Sequence, residues 1–251
     1  MKISAVIVAY NEEHNIVRCL KSLQFCDEIV VVDSFSEDKT RELAASLSPR
    51  IVTHQWEGYV NQKNFAVRLA TNEWVLSLDA DEEVSEELSK EIQQTLSKEC
   101  VSCSGFSIPR KTFHSGRWIR YGGWYPNRLV RLFKKSEGEW IGLELHERWQ
   151  CQGKEGMLYS HLIHHSFNNI ADQVTRNNHY SSLGAVGLAR LGTRFSLFKL
   201  ITKPVSKFIE TYLLKKGFLD GLPGLLISIS AAYSVFLKWA KLWELKHREQ
   251  A

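Results

Sequence analysis

The chain is poor in the features that would classify it at a glance. It has five cysteines in 251 residues, and they form no framework: Cys100 and Cys103 make one C-x-x-C, while Cys19, Cys26 and Cys151 stand apart. A structural zinc site needs a second pair at short spacing, and a disulfide scaffold needs a denser set. The thiols are therefore read as reduced and structural, which favours the cytoplasm. No G-x-G-x-x-G follows the first apolar segment and there is no G-x-x-x-x-G-K-[ST], so neither a dinucleotide fold nor a P-loop is supported. The N-terminal apolar run is not expected to be a secretory leader either. The apolar run over residues 3–8 is short and gives way at once to Asn11, Glu12 and Glu13 with no small-residue cleavage site, so it reads as a strand. No internal repeat or low-complexity tract is visible.

Net charge is small, +4 over the whole chain, but it is unevenly placed. Residues 197–251 hold nine Lys/Arg against four acids, a balance of +5, which leaves −1 for residues 1–196. A basic tail rich in Leu, Phe and Trp suits an anionic lipid surface better than nucleic acid, which is not expected as a partner. The tail's charge-free run, residues 221–237, contains Pro223, Gly224 and three serines, and its seventeen residues fall short of the ~20 of a comfortable span. Lys215 and Lys216 precede it and Lys238 and Lys241 follow, so both flanks are basic and neither looks translocated. Helices lying in the interface are the expectation, with a soluble helical lid as the competing reading.

What is present is a regular alternation. Short apolar runs over 3–8, 28–32, 51–54 and 74–78 read as strands of a parallel sheet buried on both faces. Between and after them, residues 15–23, 39–47, 61–70 and 85–97 have helical spacing, the last opened by Ser85 with Glu86 and Glu87 in its first turn. This predicts an α/β domain with right-handed crossovers and ligands at the carboxyl ends of the strands. From about Gly105 aromatic, Gly-containing segments (106–109, 129–133, 158–164) look antiparallel, and from about Ala171 the rest looks helical. Three regions follow: residues 1–100, 101–170 and 171–251.

Strand ends carry the chemistry. Leu76-Ser77-Leu78-Asp79-Ala80-Asp81-Glu82 places two carboxylates two residues apart where the chain leaves the sheet. Hard oxygen ligands there suit Mg²⁺ or Mn²⁺ bridging a diphosphate. A solvated acidic turn would explain the motif equally well if it stood alone. It does not: the first strand ends in Ala9-Tyr10-Asn11-Glu12-Glu13 and the second in Val32-Asp33-Ser34, followed by Ser36, Asp38 and Thr40. Carboxylates and amides thus converge on one sheet edge.

Val8-Ala9-Tyr10-Asn11-Glu12, Val31-Val32-Asp33-Ser34, Gln62-Lys63-Asn64 and Leu78-Asp79-Ala80-Asp81-Glu82 resemble, in order and spacing, the nucleotide-sugar half of family 2 glycosyltransferases of the GT-A fold. The resemblance implies that Tyr10, Glu12 and Asp33 contact uridine, that Lys63 or Asn64 lines the same pocket, and that Asp79 and Asp81 handle ribose, diphosphate and metal. The run from Trp124 to Phe133, then Leu145-His146-Glu147, is similar to the bacterial subgroup that contains lipopolysaccharide core β-glucosyltransferases, as is the tail. It implies transfer of a hexose, glucose by that resemblance, from a UDP-sugar to a core heptose on the cytoplasmic face of the inner membrane. A polyprenyl phosphate or protein acceptor, or a non-catalytic nucleotide-sugar-binding scaffold, stays open.

An inverting displacement needs a base to deprotonate the attacking hydroxyl. Glu147 is the choice, Glu144 the reserve, with His146 holding Glu147 or ligating the metal. Arg128 and Arg131 lie three apart on a strand and cannot share a face, and Arg131 is preferred as the diphosphate partner. At least one of Trp118, Trp124 and Trp140 is expected to stack on a sugar ring. His164 and His165 are candidates for a further metal ligand.

Overall fold

A computed structural model describes residues 1–47, 50–98, 102–142, 147–167 and 169–248. In chain order the elements are β1 (Ile3–Ala9), α1 (Ile16–Ser22), β2 (Glu28–Asp33), α2 (Thr40–Ala45), β3 (Arg50–Thr53), α3 (Tyr59–Leu69), β4 (Trp74–Asp79), β5 (Glu82–Val84), α4 (Glu86–Leu96) and β6 (Gly105–His114). Then come β7 (Arg117–Ile119), β8 (Asn127–Lys134), β9 (Gly138–Ile141), β10 (Arg148–Cys151), β11 (Glu155–Met157) and β12 (Leu162–His165). The helices α5 (Ile170–Arg190), α6 (Leu197–Phe208) and α7 (Gly221–Arg248) complete the chain, with a π-helical turn (Ile209–Leu214) and a 3₁₀ turn (Gly217–Asp220) between the last two.

The chain divides into two compact units. The first comprises Met1–Lys111 and Asn127–His165, the second Thr112–Pro126 and the residues from Ser166 on. In the first, β3, β2, β1 and β4 are parallel neighbours, and β8 joins β4 antiparallel. The order continues β8-β6-β12-β5, with β11 parallel to β6. Burial explains the parallel part: Val6, Val30, Val32 and Val75 pack toward α3 on one face, while Ile7, Val31, Leu76 and Leu78 join α1, α2 and α4 on the other. Near-continuous apolar runs, as in β1 where only Ser4 is polar, are what a sheet covered on both sides requires. The Ser85 hydroxyl accepts from the Leu88 N–H at 3.2 Å, so α4 begins at its expected cap.

Three differences from the sequence reading matter. Between the expected strand over 74–78 and helix over 85–97, Glu82–Val84 forms a further strand, β5, antiparallel to β12. The antiparallel part is longer than expected, and a separate two-stranded ribbon of β9 and β10 stands beside the sheet, pairing Trp140 with Trp149. Residues 112–126 group with the C-terminal helices rather than with a 101–170 region. The buried Asp220 carboxylate accepts from the Arg120 and Tyr121 N–H groups at 3.0 and 2.8 Å, and the Gly122 N–H donates to the Lys215 carbonyl at 2.9 Å.

In the second unit α7 packs against both α5 and α6. Ala185, Trp239 and Leu242 are buried there, with Leu200 partly buried against them. Among the described residues one helical stretch, Gly217–His247, is long and apolar enough to cross a membrane by length and composition.

Candidate active site

The carboxyl ends of β1 and β2 are tied together by side chains the sequence placed there. Asp33, fully buried at the end of β2, accepts from the Ser36 N–H at 2.9 Å and from the Ser36 hydroxyl at 2.5 Å. The Ser36 oxygen in turn accepts from the Asn11 N–H at 3.0 Å, and the Asn11 side-chain oxygen accepts from the Glu37 N–H. Asn11 and Phe35 both take positive φ, 54° and 61°, a conformation rare for an aromatic residue. Tyr10 and Phe35 consequently present half-exposed rings at this edge. The Glu12 carboxylate accepts from the Asn15 amide at 2.7 Å, and its N–H donates to Thr40. Gln62, wholly buried, joins Ser34 to His54, bonding both and supporting the floor between β2, β3 and α3.

The centre of the site is a chain of charges. Lys63, buried on α3, reaches Asp79 at 2.9 Å and Glu147 at 2.8 Å and lies 4.7 Å from the centre of the Trp140 ring. Arg131 of β8 pairs with both Asp79 and Glu82, and Arg110 of β6 meets Glu82 at 3.2 Å. Glu82 also accepts from the Asp79 N–H at 3.1 Å, which fixes the turn. Lys63, Arg131 and Arg110 therefore balance Asp79, Glu82 and Glu147 in charge. Burial pushes the Asp79 carboxyl up, but Arg131 and Lys63 outweigh it and hold the group well below the usual carboxylate range. The same pairing keeps the Arg131 guanidinium charged despite its burial.

Asp81 faces the other way, toward β12, where His164 Nε2 lies 3.4 Å from its carboxylate and the His165 N–H donates to its carbonyl at 3.0 Å. Among the described residues no three His, Cys, Asp or Glu gather as a metal cluster. One carboxylate and one imidazole are nonetheless a fitting set for a divalent ion that takes its other ligands from phosphate and water. Of the candidate histidines, His164 is the one brought to Asp81. His165 meets Glu83 instead, at 3.6 Å.

Glu147 owes its place to the β9–β10 ribbon. Trp149, two residues on, stacks on Phe133 with ring centres 3.5 Å apart. The Asn64 side chain bonds the main chain of Trp140 at both ends, 2.9 Å to its carbonyl and 2.9 Å from its N–H. Asn64, expected to line the nucleotide pocket, thus spends its amide on fastening β9 to α3, next to Lys63. Arg131, expected on the diphosphate, directs its charge to Asp79 and Glu82. Arg128 donates to the Ser107 and Leu158 carbonyls. Trp140 is a buried core ring, whereas Trp118 and Trp124 belong to the second unit. His146 and Glu144 lie outside the described residues.

Residues 4–152 match the family model described as glycosyl transferase family 2. The chain belongs to this family. An uncharacterised glycosyltransferase of Rickettsia typhi is 33% identical over 97% of this chain and 87% of its own length. The lipopolysaccharide core biosynthesis glycosyltransferase LpsC of Rhizobium meliloti is 29% identical over 97% of this chain and 93% of its own. Among solved structures, the mannosyltransferase PcManGT of Pyrobaculum calidifontis, in complex with GDP-Man and Mn²⁺, superposes with a TM-score of 0.52 at 14% identity, covering 97% of this chain and 87% of that one. Residues 1–349 of S. aureus TarS with UDP give a TM-score of 0.51 at 16% identity, over 100% and 92%. At these identities the likeness is one of fold, GT-A.

For this family 2 glycosyltransferase, sequence reasoning passed over Glu82 and Arg110. Glu82 was visible as the third acid of the D-x-D-E run, but its burial and two arginine partners depend on β6 and β8. Arg110 carried no local signal.

Proposed function

We propose that the protein is an inverting glycosyltransferase that moves a hexose, glucose by resemblance, from a UDP-sugar to a core sugar of lipopolysaccharide at the cytoplasmic face of the inner membrane. The observation that supports this most directly is the Asp79–Lys63–Glu147 chain of contacts, in which one ammonium links a carboxylate of the D-x-D motif to a second carboxylate from a distant part of the chain. The full-length similarity to LpsC, named for lipopolysaccharide core biosynthesis, supports the acceptor class.

In this reading Tyr10, Glu12 and Asp33 hold the uridine at the ends of β1 and β2, and Asp79 orients the ribose and diphosphate. Asp81 and His164 would hold Mg²⁺ or Mn²⁺. When bound, such an ion neutralises charge developing on the departing diphosphate. Glu147 takes the proton of the acceptor hydroxyl as that oxygen attacks the anomeric carbon on the face opposite the diphosphate, so the C–O bond to UDP breaks and the configuration inverts. Lys63 holds Glu147 in position and adds positive charge beside Asp79. Arg131, locked on Asp79 and Glu82, keeps the D-x-D turn in one shape.

The test is UDP release by the purified protein with a panel of UDP-hexoses, with and without delipidated core saccharide and Mn²⁺. Release that depends on the acceptor, and a product of inverted anomeric configuration, are expected. Glu147→Gln should lower kcat by roughly 10²-fold or more while leaving UDP affinity nearly unchanged, the usual scale for a lost general base. A Glu147→Gln enzyme that turns over at the wild-type rate overturns the assignment.

A further inference from the structure

The second unit leaves a long apolar strip uncovered. Leu197, Ile201, Val205, Ile209 and Leu213 recur at four-residue steps along α6 and its π-helical continuation, and each is between 41% and 63% exposed. Phe198 and Leu214, beside them, are 75% and 74% exposed. Side chains four apart lie on one helix face, so these form a continuous seam rather than scattered surface residues. Leu200 points the other way, against Trp239 and Leu242, which fixes the side of α6 that faces its own unit.

The segment that carries the seam is basic, although Lys199 lies over the Trp239 ring at 5.6 Å. Residues 197–219 contain Lys199, Lys203, Lys207, Lys215 and Lys216 against one acid, Glu210. That acid is taken up by Lys207 at 3.2 Å and by Lys215. A net positive helix complements the phosphates of an anionic lipid surface, into whose acyl boundary an apolar seam sinks.

The apolar helix α7 also exposes Leu222, Ile229, Tyr233, Phe236 and Trp243, but it is tied to polar groups of α5. Lys241 sits in its second half, with Nζ 2.7 Å from the Asn178 side-chain oxygen and 2.8 and 2.7 Å from the Ser181 and Ser182 hydroxyls of α5. Asn177 of α5 donates to Ser230 of α7 at 2.6 Å. Helix α5 itself carries Asp172, Arg176, Asn177, Asn178 and His179. For α7 to cross a bilayer in this packing it would draw those groups into hydrocarbon, where each charge is costly.

We propose that α6 and its π-helical continuation lie in the plane of an anionic bilayer surface, with the Leu197–Leu213 seam in the acyl boundary, while α7 stays on the protein side and spans nothing. This rests on the membrane-bound acceptor of the proposed function and names the surface that meets the membrane.

The experiment is co-sedimentation of the full chain with phosphatidylcholine vesicles, with and without phosphatidylglycerol. Ile201→Asp/Val205→Asp alters two exposed positions, and its thermal unfolding reports that the fold is kept. It should lower partition onto anionic vesicles by at least about tenfold. Lys203→Ala, at an exposed position, should weaken binding only where phosphatidylglycerol is present. Tyr233→Ser/Phe236→Ser, on the exposed side of α7, should leave partition within about twofold of wild type. The Asp pair should also slow transfer to vesicle-embedded acceptor while sparing transfer to delipidated saccharide. Undiminished partition of the Asp pair overturns the proposal. So does release of the protein by the α7 pair alone, or a segment of α7 protected from protease by the bilayer. Loss of a dimer in lipid-free buffer on introducing the Asp pair would show the seam to join two copies, which also overturns it. Seam-dependent binding by a protein that releases no UDP with any acceptor would leave the anchor standing and remove the transferase reading.

Discussion

Replacing Lys63 by Met removes one charge from between two carboxylates while keeping most of the side chain's bulk. Lys63 is 5% exposed in its side chain and touches Asp79 and Glu147 at 2.9 and 2.8 Å. Breaking a buried pair by deleting one partner costs about 3–5 kcal/mol, chiefly through the uncompensated charge left behind. Here the cost is smaller. Asp79 is 34% exposed in its side chain and retains Arg131, so the burden falls on Glu147, whose side chain is 15% exposed. Discounting for solvent and for the second cation leaves about 2 kcal/mol. For a protein of this size that is a fall in melting temperature of about 4–8 °C. Adding Glu147→Gln removes the stranded charge, so the double variant should recover about 1–2 kcal/mol relative to the sum of the singles. Thermal and urea unfolding of the four proteins in the cycle, read by tryptophan fluorescence, measures this. Activity should fall roughly 10²-fold in each single variant and little further in the double, as for residues acting as one unit. Strictly additive stability losses, or a Lys63→Met protein as stable as wild type, would refute the reasoning.

Three other outcomes are expected. Asp81→Ala should abolish UDP-dependent Mn²⁺ binding, followed by electron paramagnetic resonance, and His164→Asn should weaken it about 10-fold or more; an Asp81→Ala enzyme retaining over about a tenth of wild-type turnover, a barrier change under ~1.4 kcal/mol, contradicts the assignment. Burial pushes the Cys26 thiol up to about 12, Asp27 adding to it, and burial also raises Cys19. At pH 8 iodoacetamide should therefore label Cys26 in the native protein on the order of 10³-fold more slowly than a free thiol, and labelling at the free-thiol rate would count against the packing around it. In the second unit, burial lowers the pKa of His114, its bond from ring Nε2 to Gln173 at 3.2 Å only partly offsetting this. A histidine harder to protonate when folded stabilises above its unfolded pKa and loses that contribution as pH falls, so stability should decline below pH ~6.5 by at most about 1.4 kcal/mol per pH unit. His114→Asn should flatten that decline, and an unchanged slope would exclude His114 as its source.

Much of the first unit could be read directly from the chain, because its information is local. A strand buried on both faces is apolar at nearly every position, and β1 and β4 are recognisable within seven residues. The cap at Ser85, the D-x-D turn and the polar strand ends of β1 and β2 are likewise short-range patterns, and together they sufficed for the family and the fold. The basic, apolar character of the tail was equally plain from composition.

Tertiary structure decided the rest. Lys63 and Glu147 are 84 residues apart in sequence, and nothing near either one specifies the other. Their contact arises from Asn64 clamping Trp140 and from Trp149 stacking on Phe133. His164 rather than His165 meets Asp81 because β12 pairs with β5 in one register, and a shift of one residue would exchange them. Residues 112–126 join the C-terminal helices through hydrogen bonds to Asp220 that no periodicity encodes. In the tail, α6 and α7 both expose apolar residues, and only their packing shows that α7 is also tied to the polar groups of α5: hydrophobicity sets how much surface must be covered, and the arrangement of neighbours sets which part remains.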